Sequence, residues 1–129
     1  MNSIMTKTSA ALATALVVLV TTLPTEASAA GIRVKCEKQA NRSKVSVDGR
    51  GLAAGEYHAN IISGSNHKAS KPVTGGGEIE FDFDSDKGDI AAGATAIGPK
   101  FIQGGKVTGQ IVEASGHVVI EATNTCRTR

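Results

Sequence analysis

Asp82, Asp84, Asp86 and Asp89 lie within one short run, D-F-D-S-D-K-G-D-I, that includes Gly88. Carboxylates at alternate positions suit a hard cation that takes 6–8 oxygen ligands, and a glycine lets the chain turn around it. Calcium is therefore the metal to consider. The run departs from the helix–loop–helix calcium pattern, because Gly88 falls one place late and Gly93 stands where a bidentate Glu is expected. Asp82 also continues the outward face of a strand. A looser calcium site would use Asp84, Asp86 and Asp89. The competing interpretation is a solvated acidic face that keeps a Phe-bearing strand from pairing with other chains.

Other chemistry has less to work with. The 3 histidines, His58, His67 and His117, are scattered, without H-E-x-x-H spacing for zinc. No G-x-S-x-G nucleophile elbow occurs. Ser115-Gly116-His117 fits a hairpin turn, and Glu78 and Glu80 fall on the same side of one strand. No catalytic residue is expected on these grounds. Nucleic-acid binding lacks both a strong basic balance, the net charge being +2, and stacking aromatics, with no Trp and 1 Tyr. Charge is nevertheless uneven along the chain. Arg33, Lys35, Lys38, Arg42, Lys44 and Arg50 precede the acidic Glu78–Asp89 stretch. Cross-strand ion pairs would account for both if those strands are neighbours. Otherwise the chain presents one basic and one acidic patch, which favours weak self-association or an anionic surface.

The N-terminus reads as a secretory leader. Lys7 supplies positive charge, Ala10 to Leu23 is apolar, and Ala27-Ser28-Ala29 has the small-x-small cleavage form. The apolar run falls short of the roughly 20 residues that span a bilayer. Arg33-Val34-Lys35 before Cys36 argues against a lipid-modified cysteine. Residues 1–29 are thus expected to be leader, cut after Ala29 or Ala30, and residues 30–129 one domain with no membrane span. A secreted or periplasmic location, in a bacterial setting, follows. In that compartment the 2 cysteines, Cys36 and Cys126, should form a disulfide. Closing a loop of about 90 residues stabilises by about 4.5 kcal/mol in the chain-entropy model.

The elements that must carry these residues are short strands. Ile32, Val34 and Cys36 alternate with Arg33, Lys35 and Glu37, and after a polar turn at Gln39–Arg42 so do Val45 and Val47 with Lys44, Ser46 and Asp48. Asp48-Gly49 and Gly51 should end that second strand. Tyr57, Ala59 and Ile61 begin a third, and Ser63 to Gly77 reads as a long polar loop with a short pairing at Val73–Thr74. Ile79, Phe81 and Phe83 then alternate with Glu78, Glu80, Asp82 and Asp84 to give a central half-buried strand. Asp89 to Gly98 is expected to be irregular or extended. Lys106 to Cys126 reads as a hairpin turning at Ala114-Ser115-Gly116, with Val118, Ile120, Ala122 and Cys126 on one face.

Two patterns carry a resemblance. Leu52, Gly55 and Tyr57 form L-x-x-G-x-Y, similar to the strand entry of immunoglobulin-like and transthyretin-like sandwiches, where Leu plugs the core end and Tyr hydrogen-bonds back to the loop. Val107, Gly109, Ile111, Glu113, Gly116, Val119 and Ala122 resemble the hairpin of carboxypeptidase-regulatory-like, transthyretin-type domains of exported bacterial proteins. Glu113 stands where Asp is usual, and the Pro often found after the turn is absent. The resemblance implies an all-β antiparallel sandwich of about seven strands, its first and last strands joined by the disulfide. It also implies a non-catalytic module that binds an unknown protein or surface ligand. A calcium-dependent adhesion or stability module, and a small exported enzyme or enzyme inhibitor, are the competing functions.

Overall fold

A computed structural model describes residues 29–129. The leader expected over residues 1–29 lies, except for its last residue, outside the described residues. Strands dominate: β1 (Gly31–Gln39), β2 (Arg42–Ser63), β3 (Asn66–Ala69), β4 (Val73–Asp84), β5 (Thr95–Ala96), β6 (Lys106–Glu113), β7 (Val118–Thr125) and β8 (Arg127–Thr128). One short helix, α1 (Lys87–Ala91), interrupts them. Among the described residues, no helix is long and apolar enough to cross a membrane.

The strands make one eight-stranded mixed sheet. This corrects the expected purely antiparallel arrangement of about seven strands, because β1–β8 and β4–β5 are parallel pairs. β2 organises the sheet. Its first half pairs with β1, from Gly31 opposite Arg50 to Gln39 opposite Arg42. The second half pairs with β6, from Tyr57 opposite Glu113 to Ile62 opposite Thr108. The other edge of β2 takes β4 and then β3. Gly49 and Gly51, expected to end a strand, instead sit in a continuous one. The register against β4 shifts between Gly49 and Leu52 and again between Leu52 and Gly55. Such bulges bend a strand without ending its pairing. Gly51 has φ +66, a left-handed conformation open to glycine at no steric cost.

That bend folds the sheet over its own core. Gly109 of β6 faces β1 and β2 so closely that an added Cβ would stand 2.7 Å from Val34 Cγ2 and 3.0 Å from Val47 Cγ2. Val34, Val45, Val47, Ile61, Phe83 and Ile111 are at most 3% exposed in the space between. Burying a side chain of this kind stabilises by roughly 1.5–3 kcal/mol. The disulfide links Cys36 of β1 to Cys126, at the junction of β7 and β8, and so ties the first strand to the last ones.

Three local expectations change. The long loop after Ser63 contains β3 and the start of β4, so Gly75, Gly76 and Gly77 lie in a strand. Asp89 belongs to α1, whose N-cap Asp86 accepts a hydrogen bond from the Asp89 N–H. A satisfied cap offsets the poor helix propensity of glycine at this short turn. Val118 is exposed, because a bulge between Ile111 and Val112 shifts the β6–β7 register; Ile120 and Ala122 keep their places against the core. Two buried serines then pin the covering segment before β6. Ser43 Oγ donates to Pro99 O at 2.8 Å and accepts from the Ile102 N–H at 3.3 Å. Ser63 Oγ donates to Lys106 O and accepts from the Gln103 N–H, both at 2.7 Å.

Candidate functional site

The outer face of β4, β2, β1 and β8 carries a cleft of about 850 Å³. Alternation places its floor. Val34, Cys36, Val45, Val47, Phe81 and Phe83 turn inward, so Lys35, Lys44, Ser46, Glu80 and Asp82 turn outward. Ala92, Gly93 and Ala94, after α1, contribute from one side, and Asn124, Thr125, Arg127 and Arg129 from the other. Register sets the rows: Lys35 lies beside Ser46, which lies beside Asp82. In the next row, Arg127 lies beside Glu37, then Lys44, then Asp84.

Asp84 is the most constrained group here. Its side chain is 2% exposed. Arg42 Nε donates to Asp84 Oδ1 at 2.9 Å and Arg42 Nη2 to Oδ2 at 2.7 Å, a bidentate fork. The Asp86 N–H also donates to Asp84 Oδ1, at 3.0 Å. Burial pushes the Asp84 carboxyl up, but the hydrogen bonds from Arg42 and Asp86 outweigh it and hold the group down at about 2. Arg42 is held still more firmly protonated, chiefly by its hydrogen bonds to Asp84 and against its own desolvation. Arg42 Nη2 also pairs with Asp89.

The three aspartates considered for calcium are therefore brought together, but around a guanidinium. Asp84 and Asp89 share Arg42, while Asp86 Oδ2 accepts the Asp89 N–H at 3.2 Å. Among the described residues no group of three or more His, Cys, Asp or Glu side chains is arranged to hold a metal ion. His58 falls in β2, His67 in β3, and His117 just before β7. In the corner pattern, Leu52 is 6% and Tyr57 5% exposed. The Tyr57 hydroxyl donates to Ala53 O at 2.6 Å, and Gly55 lies against the Tyr57 ring.

The charge pattern set Lys35, Arg42 and Lys44 in one basic run without fixing their individual partners, and it did not include Arg127. The signal for Arg42 was the uneven charge, since β2 and β4 are indeed neighbours. On the far side, Arg129 pairs with Glu37. Among the described residues, Lys35, Lys44 and Arg127 form no ion pair, and neither do Glu80 and Asp82. Among the described residues, the cleft is thus lined by charged side chains of both signs that form no ion pair. No protein-family model and no curated protein matches this chain.

Proposed function

We propose that the protein is an exported, non-catalytic binding module built on an immunoglobulin-like or transthyretin-like sandwich plan, with its ligand in the outer-face cleft. The observation that carries this is the set of charges that form no ion pair among the described residues, Lys35, Lys44, Arg127, Glu80 and Asp82, gathered in one concavity of about 850 Å³. That volume falls within the usual range for ligand sites. The leader pattern and the Cys36–Cys126 disulfide support export to an oxidising compartment. The Tyr57 hydroxyl bonded back to Ala53 O supports the sandwich likeness.

Two measurements test this. Expression with the native leader should yield a processed chain, beginning at Ala30 or Gly31, outside the cytoplasm. Backbone amide shifts of that chain, titrated with panels of peptides, oligosaccharides and inorganic anions, should move at Lys35, Lys44, Ser46, Asp82 and Arg127. Retention of the leader, or ligand-dependent shifts confined to other surfaces, would sink the proposal.

A further inference from the structure

The cleft charges are sorted by strand. Among the described residues, the acids without an ion-pair partner, Glu80 and Asp82, belong to β4, Glu80 accepting only a 3.4 Å hydrogen bond from Ser46 Oγ; the cations without an ion-pair partner belong to β1, β2 and β8. Lys44 explains how the cations stay free. By register it lies between Glu37 and Asp84, either of which could neutralise it. Both are already taken, Glu37 by Arg129 and Asp84 by Arg42. Across the neighbouring row, Lys35 and Asp82 are separated by Ser46. Adjacent strands lie about 4.8 Å apart, so these two positions stand roughly 10 Å apart. That is too far for direct pairing and near enough for a single ligand to touch both.

With the cleft taken as the binding site, we propose that its ligand is an extended polypeptide segment bearing one acidic and one basic side chain on the same face. The acid lies on Lys35, Lys44 and Arg127, and the base on Glu80 and Asp82. Residues i and i+2 of an extended chain share a face about 6.6 Å apart. Flexible acidic and basic side chains cover the remaining distance between the two subsites. A simple anion would meet the cations and leave Glu80 and Asp82 without a counter-charge. A sugar ring would look for an aromatic platform, and none of the described lining residues is aromatic. Because Lys35, Lys44, Asp82 and Arg127 are exposed, each contact is screened and salt-sensitive.

The test uses the full mature chain, disulfide intact, and four probes: acetyl-Lys-Gly-Glu-amide, acetyl-Gly-Gly-Glu-amide, acetyl-Lys-Gly-Gly-amide and a sulfated disaccharide. Amide shifts are followed at low and at high salt. The doubly charged peptide should bind roughly fivefold tighter than either singly charged peptide, and high salt should erase the difference. Lys44→Glu should reduce its affinity to that of the basic probe, and Asp82→Lys to that of the acidic probe. Unchanged shifts away from the cleft will show that both variants fold, and Lys35→Ala gives a milder third variant. Equal binding by all three peptides at the cleft would overturn the two-charge ligand and leave the cleft as the site. Tighter binding of the disaccharide would overturn the polypeptide assignment. No shift in the cleft with any probe would overturn both proposals.

Discussion

Asp84→Asn removes one charge from the clasp between β2 and the turn after β4, with almost no change in shape. Asp84 has 2% of its side chain exposed and accepts three hydrogen bonds, two from Arg42 and one from the Asp86 N–H. Its carboxyl is lowered from 3.8 to about 2, because the hydrogen bonds outweigh the opposing effect of burial. A depressed folded-state value means that the stabilisation is fully present above the unfolded value, near 4, and is lost as pH falls through the folded one. A difference of nearly two pKa units corresponds to about 2 kcal/mol. An amide in the same place keeps one acceptor oxygen and turns an NH2 group toward the Arg42 donors. The variant should therefore lose about 2–3 kcal/mol at neutral pH. Urea unfolding with the disulfide intact, repeated from pH 7 down to pH 2, measures this. The gap between the two proteins should hold from neutrality to about pH 4 and close below it. A gap that stays constant down to pH 2, or a variant as stable as the parent at pH 7, would refute the clasp as the source of stability.

Reducing the disulfide, or replacing both Cys36 and Cys126 by Ser, should cost up to about 4.5 kcal/mol in the chain-entropy model, because the bridged residues are 90 apart in sequence; equal denaturant midpoints with and without reductant would contradict it. Tyr57→Phe deletes the 2.6 Å hydrogen bond to Ala53 O and should cost about 1 kcal/mol in the same assay. No measurable loss would mean that the corner is held by packing alone. Millimolar calcium should leave the melting temperature unchanged, since Asp84 and Asp89 already hold Arg42. A ligand that binds only the folded state raises stability with concentration, so a calcium-dependent rise of several degrees would show the cation displacing the guanidinium.

Where alternation carries information, the strands were legible. Val34 and Cys36, Val45 and Val47, and Phe81 and Phe83 all turn inward as their spacing implies. The continuity of β2 was not, because Gly49 and Gly51 have the composition of a turn. Whether such glycines end a strand or bend it depends on partners distant in sequence, here β4 on one side and β1 then β6 on the other. The parallel β1–β8 and β4–β5 pairings are equally non-local and involve only two residues each. α1 leaves no apolar pattern in the sequence, because its stability rests on the Asp86 cap rather than on an apolar stripe: none of its residues is buried. The acidic run was visible, and so was the basic one, but the partner of each acid depended on register. An outward position in β4 would ordinarily leave Asp84 solvated; with Arg42, the Asp86 N–H and β5 beside it, its side chain is 2% exposed.

The same register explains why the cleft retains charge. Arg42 and Arg129 capture Asp84 and Glu37, the two carboxylates that flank Lys44. The outcome at Asp84 follows from chemistry as well as position. A planar guanidinium meets both carboxylate oxygens at once, as Arg42 does at 2.9 and 2.7 Å, whereas an ammonium on a flexible stem acts as a single hydrated point charge. Arg42 and Arg129 thus take the structural pairings and leave Lys44, like Arg127, unpaired among the described residues of the cleft. Exchanging the two types separates these roles. Arg42→Lys keeps the charge but loses the fork, so Asp84 should titrate closer to the ordinary carboxylate range. Lys44→Arg should leave stability near that of the parent, while strengthening the hold of the cleft on a carboxylate-bearing peptide. If Arg42→Lys left the acid limb of the stability profile unmoved, the division of labour between the two cations would be wrong.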